Sequence, residues 1–241
     1  MVVPGLLRLA AAAALLPAAA QAKLYGLSMV HNGPAQDKLV RIDSTEGNLT
    51  ELGSPLGPEH GAMTGTDDLR AVDTKRGIYY FLGDTHAGTT LVGLQLTDGA
   101  QVCAGSVPLT EVGFVGIGQS LTYDWKNDEL VLTGLSANST GGLFHQILRG
   151  PISGSNAPRG GGAPCAKFRK AGKFWFSSDA AMIHTSALDV ENQVLYSLVQ
   201  PSKTEFGVAV IDLAAQTLKN IDIEDGSSLL DGMAWEPKSK R

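Results

Sequence analysis

Four of the five histidines, His31, His60, His86 and His184, lie in polar, turn-like stretches that also carry Asp67, Asp68, Asp84, Asp179 and Asp231. Imidazole changes charge near neutral pH and binds metals readily, and a neighbouring carboxylate can act as a base or a further ligand. Brought together, such side chains could hold a metal or carry out acid–base work. Their spacing is not that of a compact ligand motif, since HExxH and CxxC are both absent, and those patterns place ligands within one turn of chain. Convergence would have to come from the fold, and no cofactor is specified.

The remaining chemistry-bearing residues read more plainly. GFVGIGQSL at 113–121 carries the glycines of a phosphate-cradling loop, but strand-like residues follow it where a helix is needed, so nucleotide binding is not expected. No GxSxG nucleophile elbow occurs. Trp125, Trp175 and Trp235 are expected to pack in the core or between repeats. Cys103 and Cys165 permit one intramolecular disulfide in an oxidising compartment, with two buried free thiols as the alternative. Asn48-Leu49-Thr50 and Asn138-Ser139-Thr140 are glycosylation sequons beside turn residues.

The elements that would position these groups recur along the chain. LRAVDTKRGIYYFLG from Leu69, LTYDWKNDELVLTG from Leu121 and SALDVENQVLYSLV from Ser186 share a small residue, a large residue and an acid, and Ala234-Trp235-Glu236 repeats the triplet. The acids fall at 73, 124, 189 and 236, close to the ~40–50 residue period of propeller blades once one long loop is allowed. Each triplet reads as a short strand whose acid starts a turn by accepting backbone N–H groups. A second strand follows, centred on Tyr80, Val131 and Tyr196. Two more strands come after it, with Ile42, Leu94, Ile147 and Ile211 in equivalent places.

Four short strands per repeat is the blade pattern of a β-propeller. The expected fold is all-β, with about four four-stranded blades: 24–53 completed by 230–241, then 69–109, 120–172 and 186–223. The strand at Leu24–Ser28 lacks a preceding innermost strand and Met233–Glu236 lacks a following one, so the N- and C-terminal strands are expected to share a blade and close the ring. The alternative is a piece of a larger propeller. In this strand order the loops entering the innermost strands and those joining second to third strands gather at one mouth of the channel. His31, His60, His86 and His184 are expected in those loops.

The AVDTKRGIYYF and ALDVENQVLYSL hairpins, backed by LVRIDSTEG and VAVIDLAAQT, resemble the broad YVTN-like or quinoprotein-like β-propeller superfamily across nearly all of residues 23–241. The terminal DGMAWEPKSKR is also similar to glutaminyl cyclotransferases and to strictosidine-synthase or lactonase-like propellers. The resemblance implies a fold and leaves the function to the loops.

MVVPGLLRLAAAAALLPAAAQA, residues 1–22, has a basic Arg8, an apolar run too short to span a bilayer and a small-x-small end, the features of a secretory signal peptide. Residues 23–241 then form one domain in an extracellular compartment. A formal net charge of -5, more negative once Arg8 is removed, argues against nucleic acid and anionic membranes as partners. Two functions follow. One is a secreted, monomeric binding module presenting its loop-rich face to an extracellular protein, glycan or small molecule. The other is a hydrolase, lactonase or acyltransferase with a His/Asp site at the channel.

Overall fold

The structure, a computed structural model, describes residues 24–28, 38–43, 45–54, 69–85, 88–107, 120–153, 163–175, 182–200 and 207–222. Every regular element among them is a β-strand. The first sheet holds β1 (Leu24–Ser28), β2 (Lys38–Ile42) and β3 (Leu49–Leu52) in order. The second is β4 (Arg70–Asp73), β5 (Ile78–Thr85), β6 (Gly88–Gln95) and β7 (Gln101–Ser106). The third comprises β8 (Ser120–Asp124), β9 (Glu129–Ala137), β10 (Leu143–Pro151) and β11 (Arg169–Trp175). The fourth comprises β12 (Met182–Asp189), β13 (Val194–Gln200), β14 (Gly207–Asp212) and β15 (Thr217–Asp222). Each sheet is an antiparallel meander of sequential neighbours, and together they make a four-bladed β-propeller. The strand expected to complete the first blade, Met233–Glu236, lies outside the described residues.

The core lies between the blades. A strand with both faces covered must be apolar at every position, because successive side chains point to opposite sides. Ile78-Tyr79-Tyr80-Phe81-Leu82 is such a run: Tyr79 and Phe81 pack with Leu39 of the first blade, while Tyr80 and Leu82 pack with Leu121, Leu130 and Leu132 of the third. In the third blade the alternation continues, with Val131 and Ile147 facing Leu188, Leu195 and Ile211 of the fourth. Each of these large side chains contributes about 1.5–3 kcal/mol on full burial. The blade order is thus held by sheet-on-sheet packing.

Several boundaries differ from expectation. β12 begins at Met182 rather than Ser186, so His184 is a strand residue, not a loop residue. A register shift between Ile183 and Thr185 makes His184 the extra residue of a β-bulge, which lets the strand run past the repeated triplet. β5 continues through Asp84 to Thr85 and β6 starts at Gly88, so Asp84, expected in a turn-like stretch, is a strand residue. Trp125 and Trp175 are not packed in the core: they are 51% and 50% exposed. Trp125 opens the turn after β8, and Trp175 ends the outermost strand of its blade, so neither faces a neighbouring sheet.

Cys103 and Cys165 form a disulfide with their Cα atoms 5.0 Å apart. Cys165 precedes β11, in a connector that folds back against β7: Ala104 N–H donates to the Ala163 carbonyl at 3.2 Å. Gly105 permits this approach, since a Cβ there would lie 2.8 Å from Pro164. The bond therefore joins the rim of the second blade to the third.

Candidate functional site

The blades have two unlike ends. At one end lie the turns 74–77, 125–128, 190–193 and 213–216, each of four residues. Their geometry follows from the acid that precedes each turn, the triplet acid in the first three and Asp212 in the last. Asp73 Oδ1 accepts from the backbone N–H groups of Lys75 at 2.9 Å and Arg76 at 3.0 Å. Asp124 Oδ1 accepts likewise from Lys126 at 3.2 Å and Asn127 at 3.1 Å, and Asp189 Oδ1 from Asn192 at 3.2 Å. The last turn residue takes a left-handed conformation, with φ of 66° at Gly77, 59° at Asp128 and 56° at Gln193.

These turns are cross-linked from blade to blade. Arg76 donates to Asp73 Oδ2 at 2.7 Å and reaches across to Asp128 of the third blade with both guanidinium nitrogens. Tyr123 O–H donates to the same Asp128 at 3.0 Å. Asp128 is consequently held down to about 2, chiefly by Arg76, while Tyr123 is pushed up to about 12 by burial and by its bond to Asp128. Further round, Arg149 donates to Asp124 at 2.9 Å and to Gln193 of the fourth blade at 2.6 Å. Burial pushes the Asp124 carboxyl up, but hydrogen bonds from Asn127, Gln193 and Arg149 outweigh it and hold Asp124 below the usual range. These acids are committed to structure: Asp73 and Asp124 are fully buried and Asp189 nearly so.

The opposite end is the one at which the candidate site is expected. There β5 ends, β12 begins and the segments 55–68, 86–87, 108–119, 176–181 and 201–206 enter or leave the blades. Asp84 is the penultimate residue of β5 and His184 the third of β12, so the structure places them on the second and fourth blades at this same end. His31, His60, Asp67, Asp68, His86, Asp179 and Asp231 lie outside the described residues. No group of three or more metal-type ligands occurs among the described residues. Of the two sequons, Asn138 belongs to this end, where its Oδ1 accepts from Thr140 N, Thr140 Oγ1 and Gly142 N at 3.1, 2.9 and 2.7 Å. Asn48 lies in the turn at the other end, with its Nδ2 donating to Glu46 at 2.8 Å.

Just inside the loop-bearing end, a chain of buried hydroxyls links the innermost strands of two blades. Ser120 meets Thr133 at 2.8 Å, Thr133 donates to Ser186 at 3.5 Å, and Ser186 meets Ser197 at 2.7 Å. The chain satisfies four buried polar groups between the two blades. His145, the fifth histidine, lies on β10, the third strand of its blade, opposite Leu135 and Phe174 and two residues nearer the loop-bearing end than Ile147, the partner of Thr133. Its burial is complete and lowers its pKa to about 3, which keeps the ring neutral. Sequence reading missed both features, because a lone Ser or His in an apolar strand has no pattern that reveals what covers it.

No family model matches the sequence, and no curated protein matches it. Among solved structures the chain resembles TolB from Acinetobacter baumannii, with a TM-score of 0.48 and 12% identity. The likeness covers 86% of this chain and 42% of the TolB chain, so this chain spans less than half the length of that protein.

Proposed function

We propose that this chain is an exported β-propeller of the broad YVTN-like or quinoprotein-like superfamily that acts as a binding module through its loop-bearing end. In this reading residues 1–22 are a signal peptide, residues 23–241 are one propeller domain, and the monomer meets an extracellular protein, glycan or small molecule. The observation that supports it is the asymmetry of the two ends. One end carries four-residue turns whose acids are spent on hydrogen bonds, with the β10–β11 connector of the third blade beside them, and the other is where the more numerous segments around 55–68, 108–119, 176–181 and 201–206 attach. Loops carried on rigid strands are where recognition residues concentrate, because they vary without disturbing the packing beneath them.

Elemental analysis and turnover assays on purified residues 23–241 test this reading. A metal-free protein that hydrolyses neither lactones nor esters, and does not cyclise N-terminal glutamine, is the expected result. Stoichiometric metal that is lost in the His86→Ala and His184→Ala variants, or turnover of any of those substrates, would replace the binding module with a channel enzyme.

A further inference from the structure

The charge of this protein is unevenly placed. The chain is acidic overall, yet Lys167, Arg169, Lys170 and Lys173 fall within nine residues that contain no acid, on and just before the outermost strand of the third blade. All four are exposed. Arg169 is paired with Glu129 at 2.7 Å. Among the described residues, the three lysines make no ion pair with an acid.

A β-bulge organises them. Trp175, Lys173 and Lys170 stand opposite Phe144, Gln146 and Leu148, while the register shift leaves Ala171 as the extra residue. Alternation alone would send Lys170 and Lys173 to opposite faces; the bulge puts both on one face with Trp175. Successive members of this row are about 7 Å apart along the strand, so the row runs for ~14 Å. Its upper end is fixed. The Lys173 ammonium lies 3.9 Å from the Phe144 ring centroid and 4.3 Å from that of Trp175, and the two rings are 5.1 Å apart. A Cβ at Gly142 would come within 3.2 Å of both the Trp175 ring and Asn138 Nδ2, so the loop backs the indole closely. Trp175 nonetheless keeps half its surface in solvent. The three bonds to Asn138 Oδ1 orient that amide and leave its NH2 group as a donor beside the indole.

Lysines and bulges on an edge strand also deter strand addition. That accounts for charge on the edge and disfavours an acidic peptide zipping on as a fifth strand. It does not account for a bulge that gathers the lysines onto one face beside a fixed, half-open tryptophan. An indole offers a flat surface for the C–H face of a sugar ring, and ammonium groups spaced along a strand suit repeated carboxylates or sulfates.

We infer that Lys170, Lys173 and Trp175 form a binding surface for an anionic oligosaccharide, either uronate-bearing or sulfated. The surface runs along the outer flank of the third blade and is independent of the channel reading above.

The test uses residues 23–241 exported to a bacterial periplasm, where the disulfide forms and Asn138 carries no eukaryotic N-glycan. Oligogalacturonate, a heparin-derived oligosaccharide, a neutral galacto-oligosaccharide and a glutamate oligopeptide are titrated by calorimetry and tryptophan fluorescence. Binding of at least one anionic sugar is expected, without binding of the neutral one, and which of the two binds identifies the anion. Trp175→Ala and the Lys170→Gln/Lys173→Gln pair should each weaken it tenfold or more, and Lys75→Gln, on the second blade, should not. Trp175→Phe should abolish the fluorescence response. Because these side chains are exposed, unchanged melting temperatures should accompany the losses. Failure of both anionic sugars to bind at low salt overturns the inference. So does binding that survives Trp175→Ala, or equal binding of the glutamate peptide, either of which would mark a merely basic surface.

Discussion

His145 links a single side chain to the stability of the whole protein. In the unfolded chain its ring takes up a proton near pH 6.5, whereas burial keeps the native ring neutral down to about 3. Between those values the unfolded state binds the extra proton. Stability is therefore full above about pH 6.5 and falls on acidification by up to about 1.4 kcal/mol per pH unit. His145→Gln should flatten the stability–pH curve between 4.5 and 6.5 relative to the parent, measured by urea unfolding at each pH. Asp128 acts in a lower window: its contribution is present above about 3.8 and is lost as pH falls through about 2. Gly93 is constrained by packing instead. A Cβ there would stand 2.6 Å from Cys103 Sγ and 3.1 Å from Tyr80, and the disulfide holds that sulfur in place. Gly93→Ala should cost about 1–3 kcal/mol, read as a lower denaturation midpoint.

The four-residue turns, with their acids, are the elements that register one blade against the next. Arg76 is the link between the second and third: it compensates the buried Asp73 and ties down Asp128. Removing it leaves one buried carboxylate without its cation, while Asp128 is partly exposed and screened by solvent. Arg76→Ala should destabilise by about 2–4 kcal/mol, and a double-mutant cycle with Asp128→Asn should show strong coupling between the two sites. Arg76→Lys should recover only part of the loss, because a lysine cannot bond both Asp128 oxygens and Asp73 from one planar group. A result near zero for Arg76→Ala would mean that sheet packing alone sets the blade register.

At the scale of the molecule, the Cys103–Cys165 bond closes a long loop, the cysteines standing 62 positions apart in the sequence. Constraining the unfolded chain to that extent is worth roughly 3–4 kcal/mol. Cys103→Ser/Cys165→Ser should lower the denaturation midpoint accordingly while keeping the β-rich circular dichroism of the parent. The repeat itself was legible in the chain, because the triplet, the doubly buried strand and the acid-led turn are local patterns imposed by strand alternation and backbone hydrogen bonding. Leu94 and Ile211 stand in equivalent places, each fully buried against the preceding blade, and Ile42 is half-buried; in the third blade the strand registers put Gly150 in that place, and Ile147, three positions away, packs against the fourth blade instead. What lay beyond local pattern was everything decided by contact between segments distant in sequence. The approach of the Cys165 connector to β7, the bulges at His184 and Ala171, the burial of His145 and the exposure of Trp175 all depend on which surface a neighbouring segment happens to cover. A sequence specifies its own alternation of faces; only the assembled blades determine what each face meets.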